Sequence, residues 1–199
     1  MLKLGLTGSI ATGKSTALEA FSRLGVPTIS ADAVVHALYE GEAVALIATV
    51  FPTVITSGKV DRAALSRWLV AHPADIAKLE KIVHPLVRRH LSVFLEASAA
   101  QGAQLAVVDI PLLYETGHDY GLDKVVVTFV DEGEQHRRAM ARPGMTVEKL
   151  ATILARQLPQ AEKKARADYL IDTNGSIEET GAQVRALVDK LTGTTHGRA

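Results

Sequence analysis

The chain has 199 residues, 47% of them hydrophobic, and its 22 basic residues balance its 22 acidic ones. This length suits one α/β domain with an insertion, and the zero net charge predicts neither a nucleic-acid nor a membrane partner. The absence of cysteine excludes disulfides, thiolate nucleophiles and cysteine-bound metals. The sequence has no signal-peptide pattern and no apolar window of the roughly 20 residues that a membrane span needs, so we expect a cytoplasmic protein.

Short apolar strands alternating with helices are predicted along the chain. The predicted strands are residues 2–7, 26–30, 105–109, 124–130 and 169–172. Helical patterns occupy residues 14–24, 33–50, 61–100, 132–158 and the stretch through 184–191, and residues 192–199 are expected to be a disordered tail. This alternation predicts an α/β fold with a doubly wound parallel sheet. The helical stretch before the third strand is too long for one crossover, so we predict an inserted helical subdomain at about residues 58–102.

The segment GSIATGKS, residues 8–15, fits the phosphate-binding pattern G-x-x-x-x-G-K-[ST] at every fixed position. It follows a predicted strand and opens a helix, which disfavours the alternative of a glycine-rich turn that binds nothing. In such a loop (a P-loop) backbone N–H groups surround a polyphosphate, Lys14 reaches the β- and γ-phosphates, and the Ser15 hydroxyl is placed for Mg²⁺. The predicted nucleotide-binding residues of the loop are Gly8, Ala11, Thr12, Gly13, Lys14, Ser15 and Thr16.

The class of P-loop protein follows from what else the sequence carries. Guanine-specific GTPases usually contain an N-K-x-D segment, but the only asparagine is Asn174, which a glycine follows. Nucleic-acid motors usually close a strand with an acidic pair, whereas Asp109 is followed by Ile110 and Pro111. A small chain with an arginine-bearing segment that could move fits a small-molecule kinase better.

A kinase needs an acid that orients the acceptor hydroxyl. Asp32 follows the second predicted strand, at the edge of the sheet where the P-loop is also expected. An ionised aspartate there could accept the hydroxyl proton or help to position Mg²⁺. It could equally be the N-cap of the helix at 33–40, and the spacing alone favours neither hypothesis.

A kinase also needs positive charge on the transferring phosphoryl group. Arg137, Arg138 and Arg142 precede a Pro143–Gly144 break, which predicts the tip or hinge of a lid at about residues 137–160. Closure of such a lid would bring arginine onto the γ-phosphate and exclude water. For Arg137 we favour the alternative of a solvated helix face.

Two carboxylates and one histidine complete the candidates. Asp109 ends a predicted buried strand and is the candidate to hold Mg²⁺ through a water; the alternative is a strand-end residue that caps a turn. Asp131 closes the next strand and is a weaker candidate for the same role. His84 lies in the helical insertion, where a lone histidine is more often structural than a ligand. The seven histidines show no metal-ligand spacing, so we predict no zinc site.

Six segments together resemble the dephospho-CoA kinase family. They are LGLTGSIATGKST, SADAVVH, LEKIVHPLV, VVDIPLLYETG, RRAMAR and ADYLIDTNGS, and they occur in the family's order over most of the chain. The P-loop is generic, whereas HPLV, DIPLLYE and IDTNG at these separations are much more specific. The competing hypotheses are another small-molecule P-loop kinase, of nucleoside or shikimate type, and a non-catalytic nucleotide-binding regulatory module.

The resemblance implies transfer of the ATP γ-phosphoryl group to the ribose 3′-hydroxyl of dephospho-CoA, the final step of coenzyme A biosynthesis. It implies a P-loop kinase core with a helical CoA-binding subdomain and a lid. Asp32 is similar to the family's catalytic acid and Arg142 to its lid arginine, while Ser30 stands where the family often has a first aspartate. The remaining residues that the resemblance places in the site are Asn174 and Gly175 beside adenine, and Leu112, Leu113, Glu115 and His84 towards the acceptor.

Overall fold

The structure is a computed structural model that describes residues 1–193, so most of the predicted tail, residues 194–199, lies outside it. The strands are β1 Leu2–Gly8, β2 Thr28–Ser30, β3 Ile55–Thr56, β4 Lys59–Val60, β5 Leu105–Asp109, β6 Lys124–Phe129 and β7 Tyr169–Asp172. The α-helices are α1 Lys14–Arg23, α2 Ala31–Glu40, α3 Val44–Val50, α4 Arg62–Ala71, α5 Ile76–Ala100, α6 Glu132–Met140, α7 Val147–Leu154, α8 Gln160–Arg166 and α9 Ile177–Thr192.

Five strands form the main sheet, in the order β2-β5-β1-β6-β7. Strand β1 pairs in parallel with β5 on one side and β6 on the other, and β6 pairs in parallel with β7. The predicted doubly wound parallel sheet is therefore confirmed. Because β1 is central, the loop that follows it lies beside the carboxyl ends of β5 and β6, where ligands bind in sheets of this kind.

The core of this sheet is closed on one face by the first and last helices. Ala17 and Phe21 of α1 and Val184 and Val188 of α9 are spaced by four residues, so each pair lies on one helix face. Both pairs pack with Leu4 and Leu6 of β1, which are completely buried. Burial of a side chain such as Phe21 contributes about 1.5–3 kcal/mol, so this packing fixes the helix that follows the P-loop.

The chain forms two compact units. The first contains residues 1–29 and the chain from residue 95 onwards, and the second contains residues 30–94. The second unit holds helices α2 to α4, the small antiparallel hairpin β3–β4 and most of α5. Helix α5 is buried along a stripe of residues four apart: Leu79, Val83, Val87, Leu91 and Leu95.

Two of the predicted helices are interrupted in the structure. The helix predicted at 33–50 ends at Glu40 and resumes at Val44, because Gly41 stops α2 with φ −145° and ψ −107°. The helical stretch predicted from residue 61 breaks at His72, where Pro73 begins a short 3₁₀ turn. Proline has no N–H to continue the preceding helix, which accounts for the second break.

No single helix among residues 1–193 is long and apolar enough to cross a membrane. Helices α2 and α3 satisfy that test of length and composition only when they are taken together across a 76° bend.

Candidate active site

The P-loop joins the end of β1 to the start of α1. Gly8 is the last residue of β1, and α1 begins at Lys14 directly after Gly13. Two residues between them have left-handed backbones, Ala11 with φ 62° and Gly13 with φ 75°. Ala11 and Thr12 are buried, so the loop is tightly wound rather than an open turn.

Gly8 and Gly13 are both required by the close approach of neighbouring atoms, and Gly13 also by its left-handed backbone. A Cβ atom at Gly8 would lie 2.3 Å from Thr128 Oγ1, and one at Gly13 would lie 2.9 Å from Thr173 Cγ2. These distances are shorter than van der Waals contact, so a side chain at either position would displace the loop. Steric contact with neighbouring threonines therefore explains why this chain has glycine at both fixed positions of the motif.

The N-terminal end of α1 presents free donors to the interior of the loop. Among residues 1–193, no backbone carbonyl accepts the N–H groups of Gly13, Lys14, Ser15 or Thr16. The first four N–H groups of a helix have no partner within the helix, and the helix dipole makes this end positive. The arrangement suits an anionic ligand such as a polyphosphate.

The ammonium group of Lys14 is ion-paired with the carboxylate of Asp109. Asp109 is the last residue of β5 and lies opposite Leu6 of β1 in the sheet register, two residues before the loop begins. Both side chains are largely shielded, with exposed fractions of 15% for Lys14 and 5% for Asp109. The pair brings the predicted phosphate-binding lysine and the predicted Mg²⁺-binding acid together.

Asp109 and Ser15 carry oxygen ligands of the kind that Mg²⁺ prefers. Ser15 is exposed at the start of α1, and Asp109 is buried beside Lys14. Among residues 1–193, no three histidine, aspartate or glutamate side chains cluster as a metal site. A site with so few protein ligands is compatible with Mg²⁺, because this ion is usually coordinated mainly by nucleotide phosphates and water.

Hydrogen bonds among Thr12, Thr128 and Thr173 hold the P-loop in place. The Thr12 hydroxyl donates to the Ser9 carbonyl at 2.8 Å and lies 2.9 Å from Thr128 Oγ1. The Thr173 hydroxyl lies 3.1 Å from the Thr12 carbonyl. Thr128 lies within β6 and Thr173 directly follows β7, so the neighbouring strands fix the loop's shape through Thr12.

Arg138 is held in place by Thr173 and Glu134. Its guanidinium donates to the Thr173 carbonyl at 2.7 Å and to Glu134 Oε1 at 2.6 Å. Hydrogen bonds from Arg137, the larger effect, and from Arg138 lower the pKa of Glu134 to about 2. Arg137 is itself exposed, as expected for a solvated helix face.

Asn174 and Gly175 form the turn between β7 and α9. The Asn174 side chain accepts from the Asp131 N–H at 3.0 Å and donates to Asp172 Oδ1 at 2.7 Å. A Cβ atom at Gly175 would lie 2.1 Å from Glu179 Oε2, because that carboxylate caps α9 by accepting the Ser176 N–H. Asp131 is thus exposed and engaged with Asn174, while Asp109 is the acid that pairs with Lys14.

The segment after β5 carries Leu112, Leu113 and Glu115. Leu112 is exposed, whereas Leu113 is buried against Gly5 of β1. The Glu115 carboxylate accepts the Leu158 N–H at 2.8 Å and is ion-paired at 2.8 Å with the completely buried Lys163 of α8. Of these three residues, Leu112 has the accessible side chain, and Glu115 anchors the segment to the chain between α7 and α8.

Arg142 lies between α6 and α7, just before the Pro143–Gly144 turn. It is exposed, and its guanidinium group forms no ion pair or hydrogen bond with any side chain among residues 1–193. It differs in this respect from Arg137 and Arg138, both of which are paired with Glu134. Arg142 is therefore the arginine of this cluster that an external anion can engage.

Asp32 and His84 belong to the second unit, and the other predicted site residues belong to the first. Asp32 is exposed in the first turn of α2, whose N-cap position is occupied by Ser30. The alternative that Asp32 is the N-cap was therefore wrong, because the helix begins one residue before it. His84 is partly buried within α5, next to Pro85.

The structure also reveals residues that sequence reasoning missed. Gln135, Gln157 and Gln160 contact the P-loop or one another, and Lys163 holds Glu115. No motif marks these residues, because isolated glutamines in polar helices are usually solvated. The feature that sets Gln135 and Lys163 apart is their burial, and the sequence alone does not show it.

Comparison with known proteins identifies the family. The sequence model of dephospho-CoA kinase matches residues 2–179. The chain belongs to the dephospho-CoA kinase family. It is 53% identical over 191 residues to a dephospho-CoA kinase from Rhizobium meliloti strain 1021, covering 96% of this chain and 98% of the relative. The prediction from the motifs is confirmed: this is an ATP-dependent kinase of the family that completes coenzyme A biosynthesis.

Solved structures give the same result for the fold. The crystal structure of TT1252 from Thermus thermophilus is 32% identical, with a TM-score of 0.81, and the match covers 96% of this chain and 98% of that one. Dephospho-CoA kinase from Campylobacter jejuni is 24% identical with a TM-score of 0.69 over the same shares of the two chains. The predicted P-loop kinase fold is confirmed, and family membership sets aside the alternatives of a different small-molecule kinase and a regulatory module.

Proposed function

We propose that the protein transfers the ATP γ-phosphoryl group to the ribose 3′-hydroxyl of dephospho-CoA, with the residue roles given below. The observation that carries the proposal is the pairing of Lys14 with Asp109 beside a loop and helix start in which, among residues 1–193, no protein group accepts the N–H groups of Ala11 and of residues 13–16. A positive, preorganised cradle of this kind stabilises phosphate charge without having to reorganise during the reaction.

The phosphates of ATP are bound by the P-loop. The N–H groups of Ala11, Gly13 and Lys14 and of the following helical turn donate to phosphate oxygens, together with the hydroxyls of Thr12 and Thr16. The Lys14 ammonium moves from Asp109 to the β- and γ-phosphates. Asn174 and Gly175 form the edge of the adenine site, since their turn directly follows the strand that lies beside β6.

Mg²⁺ would be held by the Ser15 hydroxyl and, through water, by Asp109. When bound, it neutralises charge on the β- and γ-phosphates. The negative charge of the buried Asp109 carboxylate would favour a cation held in this position.

The acceptor is bound by the helical subdomain, proposed at residues 58–102, with His84 contacting it. Asp32 orients the attacking 3′-hydroxyl and accepts its proton. Its exposure in the first turn of α2 leaves the carboxylate accessible to a ligand. Leu112 contributes an apolar surface, and the anchored Glu115 and buried Leu113 maintain the shape of that segment.

The lid is proposed at residues 137–160. Its Arg142 binds the transferring phosphoryl group when the lid closes, which excludes water and leaves the acceptor hydroxyl as the nucleophile. The free guanidinium group supports this role, because no internal ion pair must be broken first. We also propose a cytoplasmic location, where ATP is available.

The experiment that tests this proposal locates the new phosphate. Protein, Mg²⁺–ATP and dephospho-CoA are incubated, and the product is analysed by mass and by phosphorus–carbon coupling in NMR. We expect a gain of one phosphate and coupling to the ribose carbons around position 3′. Coupling around position 2′, or phosphate on the pantetheine moiety, would contradict the proposed acceptor geometry.

A further inference from the structure

Three glutamine side chains connect the P-loop to α6 and to the chain after α7. Gln135 Nε2 donates to the Ile10 carbonyl at 2.8 Å, and the Ile10 N–H donates to Gln157 Oε1 at 2.9 Å. Gln160 Nε2 donates to Gln135 Oε1 at 2.9 Å, and the Val130 N–H donates to Gln160 Oε1 at 3.2 Å. Both polar atoms of the Gln135 amide are therefore engaged, which fixes the orientation of this buried side chain.

These bonds fix two consecutive peptide planes of the loop. In a trans peptide the C=O and N–H groups point in opposite directions. The Ser9–Ile10 peptide is held at both ends, because its N–H donates to Gln157 and its carbonyl accepts from the Thr12 hydroxyl. The Ile10–Ala11 peptide is held only at its carbonyl, by Gln135. Among residues 1–193, the opposite group, the Ala11 N–H, has no hydrogen-bond acceptor.

Ala11 needs such a restraint because of its backbone conformation. Its φ of 62° lies in the left-handed region, which residues with a Cβ atom rarely adopt. Rotation of the Ile10–Ala11 peptide would relieve this conformation and turn the Ala11 N–H away from the interior of the loop. Ala11 also packs against Ala139 of α6, the helix that carries Gln135, and against Leu150 of α7.

We propose that Gln135 is a positioning residue for phosphoryl transfer. It holds the Ile10 carbonyl and thereby directs the Ala11 N–H towards the ATP phosphates, and Gln157 ties the preceding peptide to the lid. Gln135 itself touches neither ATP nor the acceptor. The inference rests on the proposed role of the P-loop, and it assigns a determinant of that role to a residue outside the motif.

The first test removes the hydrogen bonds of Gln135 with Gln135→Leu. Binding of Mg²⁺–ATP is measured by calorimetry without acceptor, and steady-state kinetics are measured with dephospho-CoA. We expect the ATP dissociation constant to rise about ten-fold, the effect of losing one well-formed hydrogen bond, while KM for dephospho-CoA stays unchanged. The control is Asp123→Ala, which removes a side-chain acceptor of the Lys3 N–H at the opposite end of β1 and should leave ATP affinity unchanged.

The second test uses Gln135→Glu, which retains the shape of the side chain. The introduced carboxyl group can donate to the Ile10 carbonyl only when it is protonated. Burial and the neighbouring carbonyl raise the pKa of such a group. We therefore expect the ATP affinity of this variant, as a ratio to wild type at each pH, to recover as the pH falls from 8.5 to 6. The ratio cancels the titration of groups that both proteins share.

Two results would overturn the inference: ATP affinity within two-fold of wild type in Gln135→Leu, or a deficit in Gln135→Glu that is independent of pH. If Gln135→Leu does not fold, the pH series of Gln135→Glu decides alone. ATP binding is measured without acceptor, so the test of Gln135 does not depend on the acceptor reaction. If the wild-type protein binds ATP but does not phosphorylate dephospho-CoA, the proposed function is contradicted, and the ATP affinities of the variants still decide the role of Gln135.

Discussion

Lys14, the first residue of α1, is ion-paired with Asp109, the last residue of β5, in surroundings that shield both side chains. The pair holds the lysine proposed to bind phosphate beside the acid proposed to bind Mg²⁺. A buried pair of this kind is costly to break by removing one partner, because the other charge is left uncompensated. The ion pair therefore keeps both charged groups beside the P-loop, where we propose that ATP and Mg²⁺ bind.

Asp109→Asn should raise the Mg²⁺ concentration required for half-maximal activity and lower kcat. The amide has no charge to hold Lys14 or the hydrated cation. Titration of activity with Mg²⁺ at saturating ATP measures the effect. The matched control is Asp131→Asn, the exposed acid at the end of the next strand, which should leave the Mg²⁺ requirement unchanged. The reverse pattern would transfer the metal-binding role to Asp131.

Asp32→Asn should retain ATP binding and reduce kcat by about 10²–10⁴-fold, the usual contribution of a general base. Calorimetry with Mg²⁺–ATP and steady-state rates with dephospho-CoA separate these two effects. Glu40→Gln alters an exposed acid at the other end of α2 and should behave like wild type. Near-normal turnover of Asp32→Asn would remove the base role.

Arg142→Ala should lower kcat, by a factor of up to about 10³–10⁵ if the guanidinium group stabilises the transition state as arginine fingers do. Arg137→Ala is the matched control, since Arg137 is exposed on the preceding helix and already paired with Glu134. A rise in KM for ATP with kcat unchanged would mean that Arg142 binds the phosphate equally in the ground state.

Gly13→Ala should destabilise the protein and weaken ATP binding, because its Cβ would clash with Thr173. Gly25→Ala is a close control: its φ is 76°, against 75° at Gly13, but a Cβ there meets no atom within 4 Å. The left-handed strain alone costs about 1–2 kcal/mol, so the excess loss of unfolding free energy in Gly13→Ala measures the clash. Equal losses in denaturant unfolding, with equal ATP affinity, would contradict the steric argument.

Glu134 should contribute a pH-dependent part of the stability. Hydrogen bonds from Arg137 and Arg138 lower its pKa from 4.5 to about 2, so the folded protein binds its proton less readily than the unfolded chain. The contribution is complete above pH 4.5 and is lost as the pH falls towards 2. Denaturant unfolding of wild type and Glu134→Gln should show a difference that is constant at neutral pH and shrinks below 4.5. If the difference in unfolding free energy between the two proteins stayed constant down to pH 3, the two arginines would not lower the pKa of Glu134.

Much of the fold follows from local sequence patterns. Strands β5 and β6 contain continuous apolar runs, and the P-loop motif fixes the junction of β1 with α1. The hairpin β3–β4 was missed, because two residues per strand are too few to show a period. Helix α8 was also missed, since it has only seven residues and is mostly polar apart from the buried stem of Lys163.

The sequence offered candidate site residues only where a motif marks them. The sequence predicted Lys14 and Asp109 as site residues separately, but their pairing depends on the sheet register that places β5 beside β1. Gln135 and Gln157 are more than 120 residues from Ile10 in sequence, so no local pattern links them. Contacts of that kind arise from packing of the whole domain.

The most direct test of the account is ADP release from Mg²⁺–ATP with and without dephospho-CoA, in wild type and in Lys14→Ala. We predict that dephospho-CoA strongly stimulates ADP release by the wild type, with one ADP formed for each phosphorylated product, and that Lys14→Ala loses both ATP affinity and this stimulation. ADP release that is independent of dephospho-CoA, or full stimulation in Lys14→Ala, would contradict a kinase whose P-loop lysine carries the transferring phosphate.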